Sequence, residues 1–173
     1  MSAREVVLSL ALIEGAHLLR LVDEFGELLR ARSTDDPAVR RLTPTAYPDD
    51  AEAAAAFAET TRDELLDRRR SEATTVRAAL APFDIEIDAL SEKDALEPRD
   101  LVIAEDDLDA WLRTLTAIRL VIADRLGITT EDHTSDDGRG DIYDWLGYRL
   151  EVLIQAADEI DPRTLATRIV EIP

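Results

Sequence analysis

Two stretches in the last third of the chain decide its fold: WLRTLTAIRLVIADRLG at 111–127 and YDWLGYRLEVLIQAADEI at 143–160. In both stretches apolar residues recur every three or four positions, which is typical of the buried face of an α-helix. Both tryptophans of the chain and two of its three tyrosines lie in these stretches. The pattern predicts a packed pair of helices, the first of which ends at Gly127, because glycine readily adopts the left-handed conformation that closes a helix.

Two further helices are predicted in the first half of the chain. Helical periodicity runs from 12 to 29, with acidic residues on the opposite face. The next helix begins at Asp49, which has capping-box spacing to Glu52, and runs to about Leu80. Between these helices, three prolines and several turn-forming residues predict a connector at 33–48.

Short strands are predicted where β-branched or alternating apolar residues occur. EVVLSL at 5–10, FDIEIDAL at 83–90 and LVI at 101–103 have these patterns. We expect one or two of these strands to pair at one end of the molecule. Two remaining segments carry no such periodicity, and we interpret them as a flexible acidic loop at 129–141 and a C-terminal tail at 161–173.

Length and composition indicate one domain over residues 1–173, a mainly α helical bundle of about four principal helices with short peripheral strands. The absence of cysteine excludes disulfides, thiolate metal sites and cysteine nucleophiles. No apolar run is long enough to span a membrane. The first residues, MSAREVVLSLALIEGAHLL, have acidic interruptions and continuing helical periodicity, so we interpret them as structure rather than a targeting signal. A cytoplasmic location is therefore expected.

The formal net charge of −18 limits the classes of partner. A negative field repels phosphate backbones, so binding to nucleic acid is disfavoured, and partners with basic surfaces are favoured. No phosphate-binding glycine loop, dinucleotide fingerprint or nucleophile elbow is present in the sequence.

Three phrases of the sequence are similar to an uncharacterised actinobacterial family catalogued as a domain of unknown function. They are RLTPTAYPDD at 41–50, WLRTLTAIRLVIADRLGI at 111–128 and YDWLGYRLE at 143–151. The resemblance implies a mostly helical cytoplasmic protein without an assigned reaction. It also implies a gene often encoded beside ClpS, the adaptor of the Clp protease, and some members carry the label of transcriptional regulator. The chain departs from the family pattern at Thr116-Ala117, where an Asn-Asp pair is expected.

Two patterns contain residues that could bind a metal. Glu14 and His17 form a Glu-x-x-His on a helix, which is the half-motif of di-iron bundles, but a complete site needs a second such pair and further inward-facing glutamates, and these matching ligands are missing. The loop 131–141 resembles a cation loop, but an EF-hand frame places His133 first and Asp144 last, neither of which is the required ligand. We therefore predict no metal and no cofactor, with Glu14 and His17 as weak candidates.

Arg119 lies beside the apolar stripe of its predicted helix, so it must either extend to solvent or pair with a carboxylate. Asp144 and Glu151 on the following helix are the expected partners, in a bridge that fixes the register of the two helices. Tyrosine, tryptophan and arginine dominate binding hot spots, although the same aromatic residues also pack in cores. A candidate polar and aromatic cluster follows: Trp111, Arg119, Tyr143, Asp144, Trp145, Tyr148 and Glu151.

The sequence thus predicts a non-enzymatic cytoplasmic module that binds a protein partner or has a regulatory role, with a link to Clp-dependent proteolysis implied by the resemblance. Two alternatives remain open. One is a metal-dependent enzyme built on carboxylates and His17, and the other is a transcription-associated regulator. A homodimer is also compatible with long helices that carry surplus apolar faces.

Overall fold

Long helices form the body of the protein. The structure, a computed structural model, describes residues 4–44, 46–128 and 139–160. In chain order, its main elements are β1 (Glu5–Ala11), α1 (Leu12–Ala31), α2 (Pro37–Leu42), α3 (Ala51–Ala79), α4 (Glu92–Ala95), β2 (Pro98–Ala104), α5 (Glu105–Leu126) and α6 (Arg139–Ile160). Four of these helices are long, which confirms the predicted mainly α fold with short strands.

The two strands pair in an antiparallel ribbon, with Leu8 opposite Leu101. Residues alternate along β1, so that every second side chain enters the core, while Val7 and its partner Val102 face outwards and are exposed. The strands expected at 5–10 and 101–103 are therefore confirmed, together with their pairing.

The core lies between the ribbon and the long helices. Each strand leads directly into a helix, β1 into α1 and β2 into α5. Helix α3 packs against both α1 and α5, and α6 packs against α5. The largest fully buried side chain is that of Trp111 on α5. Burial of such apolar side chains is the main stabilising contribution to the fold.

Gly15 on α1 allows the chain after α3 to pack closely. A Cβ atom at this position would lie 1.9 Å from Cδ1 of Phe83, whose side chain is fully buried. Phe83 belongs to a short 3-10 turn, Ala81–Phe83. The absence of a side chain at residue 15 therefore lets the Phe83 ring pack directly against the backbone of α1.

Two local predictions are wrong. The segment 83–90 forms 3-10 turns at Ala81–Phe83 and Ile87–Ala89, and its half-buried Ile85 and Leu90 pack on the core without a strand partner. The alternation of apolar and acidic residues reflects this partial burial. The cap of α3 is Asp50 and not Asp49, because the Asp50 carboxylate accepts from the backbone N–H groups of Glu52 and Ala53.

Other boundaries differ by a few residues. The segment 33–48 contains α2, which Asp36 caps through the backbone N–H of Ala38. Helix α6 begins at Arg139, so the last three residues of the loop predicted at 129–141 are helical. Residues 129–138 and the tail 161–173 lie outside the described residues, so the predictions on them stay predictions. Within the described ranges, no helix is long and apolar enough to cross a membrane.

Candidate functional site

The residues of the predicted cluster are distributed around α6 and do not form one site. Trp111 is completely buried in the core. Trp145 faces α1, where it contacts Glu14, whereas Tyr143 lies against Arg119 of α5. Tyr148 is 63% exposed. Helix α6 therefore borders two different surfaces, one shared with α1 and the other with α5 and α3.

Glu14 is the centre of the contacts between α1 and α6. One carboxylate oxygen, Oε1, accepts hydrogen bonds from the Trp145 Nε1 atom and from an Arg149 guanidinium nitrogen, both at 2.8 Å. The other oxygen, Oε2, accepts from the backbone N–H of Ala11 at 2.9 Å. We call these residues, Glu14, Trp145 and Arg149, the Glu14 lock, because they tie the β1–α1 junction to α6.

The lock shifts the protonation of its carboxyl group. Burial raises the pKa of Glu14, but the hydrogen bonds from Ala11, Trp145 and Arg149 and the nearby guanidinium charge outweigh burial, so the pKa lies below its ordinary value. Arg149 also lies 5.5 Å from the centre of the Trp145 ring, within the range of a cation–π contact. These contacts keep Glu14 ionised and fixed in place.

The Glu-x-x-His pair lies at the edge of an open cleft of about 560 Å³ between α1 and α6. His17 is exposed there, and Glu14 has both oxygens engaged in the lock. Among the described residues, no group of three or more His, Cys, Asp and Glu side chains is arranged to hold a metal ion. The arrangement of Glu14 is that of a structural carboxylate.

Arg119 does not pair with the predicted carboxylates. Its Nε donates to the backbone carbonyl of Tyr143 at 3.3 Å, and its guanidinium carbon lies 3.9 Å from the centre of the Tyr143 ring. Gly147 makes this possible, since a Cβ there would lie 3.1 Å from the guanidinium. Asp144 and Glu151 are both exposed. The predicted link between the two helices exists, but its partners are a ring and a carbonyl group.

On this side of α6, two adjoining clefts of about 420 and 280 Å³ form what we call the arginine groove. The larger cleft lies between α3, α5 and α6, and the smaller between α5 and α6. Both clefts are bordered by Thr116, Leu120, Leu150 and Ile154. Arginine side chains line the groove along its length: Arg68, Arg69, Arg113 and Arg119.

The arginines of the larger cleft differ in how their charges are compensated. Arg113 donates to Glu72 at 2.9 Å and lies 3.5 Å from Asp109. Arg69 is half-buried, and its Nε is buried with no hydrogen-bond partner among the described residues. Burial lowers the pKa of Arg69, and the nearby charge of Glu72 opposes this shift only in part. Arg69 is thus a partly buried cation to which no described carboxylate offers an acceptor oxygen for a hydrogen bond.

Arg69, Arg113 and Arg149 were not among the residues predicted from the sequence. Arg69 is the middle one of three consecutive arginines, and only the packing of α3 on its neighbours decides which of them faces inwards. Arg149 meets Glu14 across 135 residues of sequence, so no local pattern could have linked the two. Thr116 is exposed and its hydroxyl donates to the Leu112 carbonyl, which gives it an ordinary helical role.

Fold and surface define a mainly helical, strongly acidic protein that carries an arginine-lined groove. The chain belongs to a family described as a domain of unknown function, DUF2017, whose model matches residues 1–157. This match confirms the resemblance to an uncharacterised family of unknown function. Searches of the curated proteins and of the solved structures gave no match.

Proposed function

We propose that the chain is a non-enzymatic cytoplasmic module that binds a protein partner through the arginine groove. The observation that carries the proposal is the contrast between the groove and the rest of the chain. Four arginines line a groove with an apolar floor in a protein whose net charge is −18. Arginine is enriched among the residues that contribute most to binding, and the buried core of a protein interface is more apolar than the rest of the surface.

The groove is also held in shape before any partner binds. Arg119 is fixed against Tyr143, and Arg113 is fixed by Glu72. Leu120, which borders both clefts, is 39% exposed and offers apolar surface between these arginines. A preorganised surface loses less conformational entropy when it binds than a mobile one.

Two other functions receive less support. A metal-dependent enzyme at Glu14 and His17 would require Glu14 to leave the lock, because both of its oxygens already accept hydrogen bonds. A transcription-associated regulator that contacts DNA would have to overcome the repulsion between its net charge of −18 and the phosphates.

The proposal extends to the identity of the partner class. The family resemblance implies gene neighbourhood with the Clp adaptor, so components and substrates of Clp-dependent proteolysis are the first partners to test. A regulatory role in Clp-dependent proteolysis would require only that the chain bind such a partner, and the arginine groove is the surface proposed for this binding.

The test is quantitative affinity capture from the native lysate with matched variants. The groove variant is Arg69→Met with Arg119→Met, and the control is Arg40→Met with Arg70→Met, which removes the same charge from exposed positions outside the groove. Thermal melts establish that both variants are folded.

We expect a partner that the wild type and the control retain and that the groove variant loses. Capture of the same proteins by all three chains would contradict the groove as the binding surface. Bound metal in stoichiometric amount, lost in Glu14→Ala or His17→Ala, would instead favour the enzyme.

A further inference from the structure

Arg69 of the groove is partly buried and has no hydrogen-bonded carboxylate within the described residues. Its Nε is buried and forms no hydrogen bond with a described residue, so the guanidinium is partly desolvated and an outside group can approach only its two terminal nitrogens. The negative charge of Glu72 attracts the Arg69 guanidinium, but the Glu72 carboxylate accepts its hydrogen bond from Arg113. A partly buried guanidinium without a bound carboxylate is energetically unfavourable, and a bidentate carboxylate is the group that its geometry fits best.

The surroundings of Arg69 restrict what can bring that carboxylate. The cleft of about 420 Å³ has an apolar floor, to which Leu65, Leu112 and Leu150 contribute. An apolar side chain next to an acidic one would fill both parts of the cleft. Two exposed carboxylates lie beside the groove: Asp109, which is 3.5 Å from Arg113, and Glu151, which borders the smaller cleft.

From this arrangement we propose that Arg69 is a carboxylate-binding subsite that receives an aspartate or glutamate of a partner segment. The neighbouring residue of the segment is apolar and enters the cleft, and basic residues flank the pair on the side of Asp109 and Glu151. Flanking basic residues also agree with the long-range field of the chain, which attracts positive charge. The inference rests on the proposed function and gives the chemistry of its partner.

The probe is a set of short synthetic peptides with a central apolar–Glu pair between lysines, and a matched set with Gln in place of Glu. Binding is measured by fluorescence polarisation to the wild type, Arg69→Met, Arg69→Lys and the control Arg70→Met. Arg70 is exposed and follows Arg69 directly on α3, but it does not line the cleft.

For the wild type and Arg70→Met, we expect Gln to weaken binding about tenfold or more, the effect of losing a charged hydrogen-bonded pair. For Arg69→Met, the Glu and Gln peptides should bind equally weakly. Arg69→Lys should lie between, because lysine keeps the charge and loses the two parallel hydrogen bonds. Equal binding of both peptides to the wild type, or an undiminished preference in Arg69→Met, would overturn the subsite.

The melting temperature of Arg69→Met distinguishes a binding role of Arg69 from a structural one. Removing a partly buried guanidinium that no carboxylate binds, and leaving an apolar chain in its place, is neutral or stabilising, so Arg69→Met should melt at the wild-type temperature or above. A clear fall in melting temperature would show that Arg69 serves the fold, and would overturn the proposal.

The carboxylate could also come from a second copy of this acidic chain. Light scattering tests this by measuring the oligomeric state of the wild type and of Arg69→Met. If the wild type is a monomer, the carboxylate belongs to a separate partner. If the wild type is a dimer and Arg69→Met is a monomer, the proposal of a separate partner is overturned. Failure here can be told apart from failure of the proposed function. If lysate capture depends on the groove while the peptides show no preference for Glu, only the subsite is wrong.

Discussion

Replacing Glu14 by glutamine tests the lock that ties α6 to the β1–α1 junction. The substitution keeps the shape of the side chain and removes its charge. The glutamine carbonyl can accept on one side only, so either the Ala11 N–H or the Trp145 and Arg149 donors lose their acceptor. Arg149, whose side chain is 15% exposed, also loses its ion pair.

The expected cost follows from these contacts. Hydrogen bonds to a charged group contribute about 1.5–3 kcal/mol each, and the partial exposure of the lock places the loss near the lower end. We expect Glu14→Gln to lower the free energy of unfolding by about 2–3 kcal/mol. For a chain of this size the melting temperature should fall by roughly 4–12 °C.

The assay is urea unfolding followed by tryptophan fluorescence, with Glu24→Gln as the control. Glu24 is exposed on the same helix and borders the same cleft, so its substitution changes the net charge equally. The control should change stability by less than about 0.5 kcal/mol. A loss of that small size in Glu14→Gln would refute the lock.

The pH dependence provides a further check, with a sign set by the pKa of Glu14. The folded-state pKa lies below its ordinary value of 4.5, so the stabilisation by ionised Glu14 is fully present above pH 4.5. It is lost as the pH falls through the folded-state pKa. The difference in stability between the wild type and Glu14→Gln should therefore be constant near neutral pH and shrink in acid, and a constant difference throughout would contradict this reasoning.

Three further substitutions test other contacts. Gly15→Ala should lower the free energy of unfolding in urea by about 1–3 kcal/mol, because its Cβ would overlap Phe83. Adding Phe83→Leu should restore part of this loss. Wild-type stability of Gly15→Ala would contradict the close approach of Phe83 to α1. Asp50→Ala should lower the free energy of unfolding by about 1 kcal/mol because α3 loses its cap, whereas Asp49→Ala should leave it nearly unchanged. The opposite order of the two effects would show that Asp49 is the cap. Arg119→Met should lower the free energy of unfolding by about 0.5–1 kcal/mol, through the loss of its contacts with Tyr143. A double-mutant cycle with Glu151→Gln should show no coupling, and strong coupling would instead support the carboxylate bridge predicted from the sequence.

The helices could be predicted because their signals are local. Periodic apolar residues, the acidic start of α3 and Gly127 at the end of α5 all act within a few turns of the chain. The strand predicted at 83–90 was wrong, because alternation reports partial burial and does not report whether a partner strand is available. Here β1 already pairs with β2, and the segment packs on α1 through Phe83.

The site could be predicted only in part, because its contacts join distant segments. The sequence indicated that Arg119 must be accommodated beside α6, but the choice of Tyr143 depends on the room that Gly147 leaves. Likewise, Arg69 has no local signal that separates it from the other charged residues of the chain, and the Glu-x-x-His spacing that marked Glu14 gave no indication of its partners Trp145 and Arg149. Their roles follow from burial and from long-range partners.

The central claim, that the arginine groove binds a partner, is tested most directly by photo-crosslinking in cells. A benzophenone side chain at Thr116 would lie in the groove, and one at Thr74 of α3 would lie outside it. The two positions match, because both threonines are exposed and bond to the carbonyl four residues earlier. We predict a defined crosslinked partner from Thr116 that is absent from Thr74 and is lost when Arg69→Met is added. Equal crosslinking from both positions, or a Thr116 product that persists in Arg69→Met, would contradict the account.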